Sequence, residues 1–169
     1  MGRECGGCTL CCKVMVIPEL DKAKDSWCAH CAIGEGCSIY QQRPNSCREF
    51  DCLYLTSEGL PDHWYPARSK MVLAAELDGR RIAVHVDPAR ADAWRQSPYF
   101  EELKQLTAAG GRQVVVYVGK RAIAVLPDGE IDLGHCSEED RIVTYQRVGP
   151  NGAQWHAEKL HKDDPRFAA

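Results

Sequence analysis

Nine of the ten cysteines of this chain fall between Cys5 and Cys52, and Cys136 stands alone in the remaining two thirds. That crowding decides most of what the first sixty residues can become. The segment is rich in glycine and turn residues, and its apolar runs at 14–17, 39–40 and 53–55 are too short to build much core alone. The N-terminus has no uninterrupted apolar segment of the secretory kind, which predicts a cytoplasmic chain with reduced thiols. In such a chain, C-x-x-C steps point to metal-ligating thiolates more than to disulfides. A thioredoxin-like role would need a strand ahead of the motif in a βαβ unit, and none is apparent near Cys5.

The first cluster reads Cys5-Gly6-Gly7-Cys8-Thr9-Leu10-Cys11-Cys12. If it is helical, all four thiols fall within an arc of about 120°. Gly6-Gly7 favours a loop that wraps a centre closely, with helix beginning near Cys8. Both conformations predict convergent thiols. A second cluster is Cys28-Ala29-His30-Cys31 followed by Cys37, and the third is Cys47 with Cys52. Zinc takes four ligands and a cubane iron–sulfur cluster takes about four thiolates, so nine cysteines suffice for one metal site or two. Three thiols at C-x-x-C-x-x-C plus a distant fourth is the arrangement of [4Fe–4S] ligation. Paired steps such as Cys8/Cys11 and Cys28/Cys31 are what a zinc knuckle uses. Spacing leaves the metal open. His30 could replace one thiolate, although a solvated loop side chain is the plainer reading.

The first cluster together with Gly36-Cys37-Ser38-Ile39-Tyr40-Gln41-Gln42-Arg43-Pro44-Asn45-Ser46-Cys47-Arg48-Glu49-Phe50-Asp51-Cys52 resembles the CxxCxxCC (YkgJ-type) family of zinc- or iron-chelating cysteine-cluster proteins. The likeness covers residues 5–55 and says little about the rest. It implies a soluble bacterial protein that binds zinc or an iron–sulfur centre. It also ranks Cys5, Cys8, Cys12, Cys37, Cys47 and Cys52 ahead of Cys28 and Cys31 as ligands. Arg43 and Arg48 would set positive charge beside a thiolate-rich site, because guanidinium donors can bond sulfur from behind the ligands. Pro44 would end the preceding segment and fix the approach of Cys47. Ile39, Tyr40 and Phe50 would exclude water, with simple packing as the alternative.

Beyond Leu60-Pro61 ordinary secondary-structure signals take over. Residues 71–77 and 80–86 read as a hairpin about Asp78-Gly79. Asp87-Pro88 and Ser97-Pro98 each open a helix signal, giving two helices or one kinked helix that stops at Gly110-Gly111. Strands at 113–118, 121–126 and 130–133 form a meander, a last pair spans 141–148 and 153–160, and the tail from His161 should fray. The expected fold is α+β: a Cys-rich metal-binding module of residues 1–60 packed on a mostly antiparallel sheet with one or two helices across residues 61–169.

Net charge is -3, with 6 basic and 8 acidic side chains in residues 1–60 and 15 and 16 in residues 61–169. No basic face of the kind nucleic acid requires is present, and no apolar run approaches the ~20 residues of a membrane span. No nucleophile elbow, phosphate-cradling loop or H-E-x-x-H occurs, so catalytic residues stay unassigned. His135-Cys136 offers a thiol beside an imidazole, more often a structural pair than a reactive one. Three functions are carried forward. The first is a metal-binding, redox-accessory or metal-handling protein with a [4Fe–4S] centre preferred over zinc. The second is a zinc-stapled interaction domain. The third is an enzyme using the centre or Cys136 on a substrate near residues 63–68.

Overall fold

In the computed structural model, which describes residues 3–167, the cysteine-rich segment consists of short pieces joined by turns. They are α1 (Cys11–Val14), the ribbon β1 (Cys31–Ala32) and β2 (Gly36–Cys37), and the single-turn helices α2 (Asn45–Arg48), α3 (Leu53–Thr56) and α4 (Pro66–Ser69). Helix starts at Cys11 rather than near Cys8. Gly6 takes a φ of +52°, and a turn closes from the Cys8 amide to the Cys5 carbonyl at 2.9 Å, a path a helix does not admit.

The larger body is a five-stranded sheet in the order β3 (Met71–Glu76), β4 (Arg81–Val86), β5 (Gln113–Val118), β6 (Arg121–Leu126) and β7 (Gly129–His135). All neighbours are antiparallel except β4 and β5, which run parallel. A parallel pair needs a crossover, and this one carries the long helix α5 (Tyr99–Gly110). The central strands are apolar along most of their length because both faces of the sheet are covered. A second hairpin, β8 (Asp140–Gly149) and β9 (Gly152–His161), pairs only with itself. The chain is α+β with mostly antiparallel pairing, as the patterning predicts.

Three local expectations are corrected. The β3–β4 connection spans residues 77–80, not a two-residue turn, and Leu77 and Asp78 both take positive φ (51° and 55°) to make it. The helix expected after Asp87-Pro88 reduces to two 3-10 turns, Pro88–Arg90 and Ala93–Arg95. Asp87 does cap the first, accepting from the Ala89 amide at 2.9 Å, but the chain then turns to bury Trp94 in the core. The tail beyond His161 is not without local structure: it forms a 3-10 turn at Pro165–Phe167, and Arg166 reaches back to Glu158 at 2.9 Å.

Alternation along the strands divides the core in two. Met71, Leu73, Val84, Val114, Val116, Ile123 and Val125 face Trp64, Trp94 and Leu103 of α5. On the opposite face, Val72 receives Leu10 and Val14 of the cysteine-rich module, while Val115 and Ala122 receive Ile142 of β8. The module is tied to the sheet by polar contacts too. Lys13 Nζ meets Asp87 Oδ1 at 2.6 Å, Lys24 Nζ donates to the Gly119 carbonyl at 2.7 Å, and Cys52 bridges Ala74.

Candidate functional site

A cleft of about 640 Å³ opens in the module, and seven cysteines line it: Cys5, Cys8, Cys11, Cys12, Cys28, Cys37 and Cys47. All ten cysteines are free thiols. Cys37 is carried by β2, and the other six lining cysteines are each set by a local device. The turn at Gly6 presents Cys5 and Cys8, and Tyr65 fixes it by donating its hydroxyl to the Cys5 carbonyl at 3.0 Å. Cys11 and Cys12 open α1, and the Cys28 amide donates to the Cys12 carbonyl at 3.0 Å, bringing the second cluster against the first. Pro44 precedes α2 and accepts from the Cys47 amide at 3.1 Å, so it fixes Cys47 as its position in the motif suggests. The Glu19 carboxylate then pins α2 through the Ser46 amide and hydroxyl, at 3.0 and 2.7 Å.

The other two N-terminal cysteines do not line the cleft. Cys52 shares a smaller cavity with Cys5, Cys8 and Cys11, closed by Tyr54, Tyr65 and Val72. Cys31 meets the Cys12 thiol and the Thr9 hydroxyl. Cys136 is not part of the group: it packs beside Val115, Ala122 and Ile142 on the sheet. Of the two arginines, Arg43 lines the cleft with its guanidinium 3.8 Å from the Tyr40 ring, whereas Arg48 is exposed and donates to the Gln41 carbonyl at 3.4 Å. His30 lines the cleft. His63 does not, and pairs with Glu102 of α5 at 2.9 Å.

The electrostatics follow from partial burial of many thiols together. Burial pushes the Cys5, Cys8, Cys47 and Cys52 thiols up, and it pushes Cys31 up to about 11. Cys12 is raised above all by its hydrogen bond with the Cys11 thiol. Opposing contributions mark where negative sulfur is favoured. The amides of Leu10 and Ala67 point at the Cys8 sulfur, those of Tyr54 and Leu55 point at the Cys52 sulfur, and Arg43 acts on Cys5. Lys22 lies beneath Cys11, Cys12 and Cys28, only 7% exposed, with its ammonium on the Lys13 carbonyl at 2.6 Å and on the Met15 carbonyl.

Among the described residues, no three or more His, Cys, Asp or Glu side chains are grouped closely enough to hold a metal ion. The predicted convergence of Cys5, Cys8, Cys11 and Cys12 is therefore a shared wall and not a closed ligand shell. In donor chemistry the wall fits a soft metal or an iron–sulfur cluster, because it offers thiols with cations behind them and few competing carboxylates. Closing a shell requires movement of the short turns that carry the sulfurs.

Three participants escape sequence reasoning. Arg3 clamps the start of the chain, donating to the carbonyls of Tyr54, Ser57 and Leu60 at 3.0, 3.1 and 2.5 Å. Lys22 reads as a solvated loop lysine until the fold buries it. Gly7 matters through a contact with Gly34 that no motif announces. Comparison of the chain with protein-family models, with curated proteins and with solved structures returns no match.

Proposed function

We propose that this chain is a cysteine-cluster metalloprotein whose N-terminal module binds an iron–sulfur centre in a redox-accessory or metal-handling role. One observation carries the reading: seven free cysteines line a single cleft of about 640 Å³. The C-x-x-C-x-x-C run of Cys5, Cys8 and Cys11, with a fourth thiolate arriving from far along the chain, favours a cluster over a lone four-coordinate ion. The likeness to the CxxCxxCC motif across residues 5–55 supports a metal centre, zinc or iron–sulfur.

Cys5, Cys8 and Cys12 with Cys37, Cys47 and Cys52 form the preferred ligand pool, and Cys11, Cys28 and Cys31 are the reserve for a second site. Backbone amides at Cys8 and Cys52 favour thiolate there, and Arg43 and Lys22 offset the charge that several thiolates bring. Ile39, Tyr40, Met15 and Phe50 supply apolar lining that limits water at the sulfurs. When bound, an iron–sulfur cluster supplies one-electron transfer. The sheet serves as the platform against which Leu10 and Val14 seat the module.

A structural zinc site is the second reading. It is favoured by the thinness of the module's own core, which is Leu10 and Val14 packed on Val72. Metal and acid-labile sulfide analysis of protein purified without oxygen separates the two. Iron with sulfide and a broad visible absorption supports the cluster, and stoichiometric zinc without colour supports the staple. Protein that takes up neither metal on reconstitution overturns both.

A further inference from the structure

We propose that Cys31 and Cys37 form a thiol oxidation site, closing to an intramolecular disulfide when the metal-free module meets a hydroperoxide. The geometry comes from the ribbon that carries them. In the antiparallel β1–β2 pair, Cys31 lies directly opposite Cys37, and Ala32 lies opposite Gly36. The next rung is hydrogen-bonded, because the Ser38 amide donates to the His30 carbonyl at 2.9 Å. Rungs alternate in an antiparallel ladder, so the Cys31–Cys37 rung is a non-hydrogen-bonded one. In agreement, the Cys31 amide is spent on the Cys28 carbonyl at 3.1 Å and not on Cys37. Such rungs hold opposed Cα atoms about 4.5 Å apart with both side chains on one face, within the range of about 4.4–6.8 Å that a disulfide spans.

Cys12, whose thiol meets that of Cys31, is the rival partner that the experiment has to separate from Cys37, and two other close pairs are worse placed. Cys11 and Cys12 are consecutive in α1, where successive side chains diverge by about 100°. Cys5 and Cys8 sit at the two ends of a turn whose backbone is held by its own hydrogen bond.

Cys37 lines the cleft, open to an incoming oxidant, and is assigned the first attack. Its thiolate attacks one peroxide oxygen, breaking the O–O bond and leaving a sulfenic acid and, for hydrogen peroxide, water. The Cys31 thiolate then attacks the Cys37 sulfur, the S–S bond forms, and hydroxide leaves as water. In sum, two thiols and one hydrogen peroxide give one disulfide and two waters. The bond removes one cleft thiol from the ligand pool, so oxidation competes with metal loading at any site that uses Cys37. That last consequence rests on the proposed metal centre, while the bond itself does not.

The full chain, reduced and stripped of metal with a chelator, is treated with one equivalent of hydrogen peroxide, alkylated, and cut after glutamate. Cleavage at Glu35 separates Cys31 from Cys37, giving fragments 20–35 and 36–49. The expected product is these two fragments joined, with fragmentation locating the bond at Cys31 and Cys37. A main product joining Cys12 to Cys31, joining Cys37 to Cys47, or showing over-oxidised thiols without a link overturns the proposal. Cys31→Ser should replace the link with a dimedone adduct on Cys37, and a variant that still forms the same joined fragments also overturns it. Cys8→Ser, expected to weaken metal binding, should form the Cys31–Cys37 bond as readily as the parent chain. The two readings therefore fail separately.

Discussion

A β-carbon placed on Gly7 would sit 2.5 Å from the carbonyl oxygen of Gly34, so the turn between Cys5 and Cys8 and the turn between β1 and β2 touch through bare backbone. The contact is reinforced by the Gly34 amide, which donates to the Thr9 hydroxyl at 3.2 Å. Neither partner is a flexible side-chain end that could give way. Gly7→Ala should therefore destabilise the chain by about 2 kcal/mol, in the range for overpacking a tight site. Gly59 is the control, because a β-carbon there would meet nothing within 4 Å and its φ is not positive. Gly59→Ala should leave the urea midpoint nearly unchanged, and equal midpoint shifts for both variants would refute the contact's role.

The Lys13–Asp87 pair joins the module to the sheet at 2.6 Å with side chains only 16% and 12% exposed. A pair so enclosed loses most when one member is removed, because the survivor is left charged and poorly hydrated. Lys13→Met should cost about 3–5 kcal/mol. Asp87→Asn preserves an acceptor for the Ala89 amide, so its cost isolates the lost charge. The double variant should be less destabilised than the sum of the singles by about 2 kcal/mol, measured as a double-mutant cycle in urea.

His85 predicts a pH dependence. Its ring stacks on Tyr117 at 5.4 Å and 16°, with Nδ1 enclosed and without a hydrogen-bond partner among the described residues. Burial, helped by the nearby Lys24 ammonium, lowers its pKa to about 4. The unfolded chain takes up a proton near 6.5, and the folded chain resists until about 4. Stability should thus be full above pH 6.5 and fall between 6.5 and 4, by about 3 kcal/mol in all. His85→Phe keeps the stacking and removes the titration. Urea unfolding at pH 7, 6, 5 and 4 should show a shallower decline for the variant, and parallel declines would contradict this assignment.

Local patterning made much of the fold legible. The apolar runs at 113–118 and 121–126 and the glycine stop at 110–111 located β5, β6 and the end of α5, because those signals depend only on neighbours in the chain. What escaped depends on distant partners. The parallel registration of β4 with β5 is set across the α5 crossover, and the helix signal after Asp87 yields to burial of Trp94. The cysteine cluster was legible as a group, and Cys136 as an outsider. Which thiols share a wall was not legible, since Cys28 and Cys31 sit three residues apart yet only Cys28 faces the cleft. His85 reads as an ordinary mid-strand residue until Tyr117 stacks on it, with Lys24 over the Tyr117 ring.

The protonated state of the thiols gives a direct count of ligands. Because burial holds Cys5, Cys8, Cys47 and Cys52 above the ordinary thiol value, metal can bind at neutral pH only by displacing protons. Loading Zn²⁺ onto metal-free protein in weak buffer should release about one proton per ligating cysteine, four for an all-thiolate site, and affinity should rise between pH 6 and pH 8. Cys8→Ser and Cys47→Ser should each lower the proton yield by about one and weaken metal retention against a chelator. Cys136→Ser should change neither, since Cys136 packs with Val115, Ala122 and Ile142 and does not line the cleft. A proton yield unchanged in both Cys8→Ser and Cys47→Ser would remove these two residues from the ligand set.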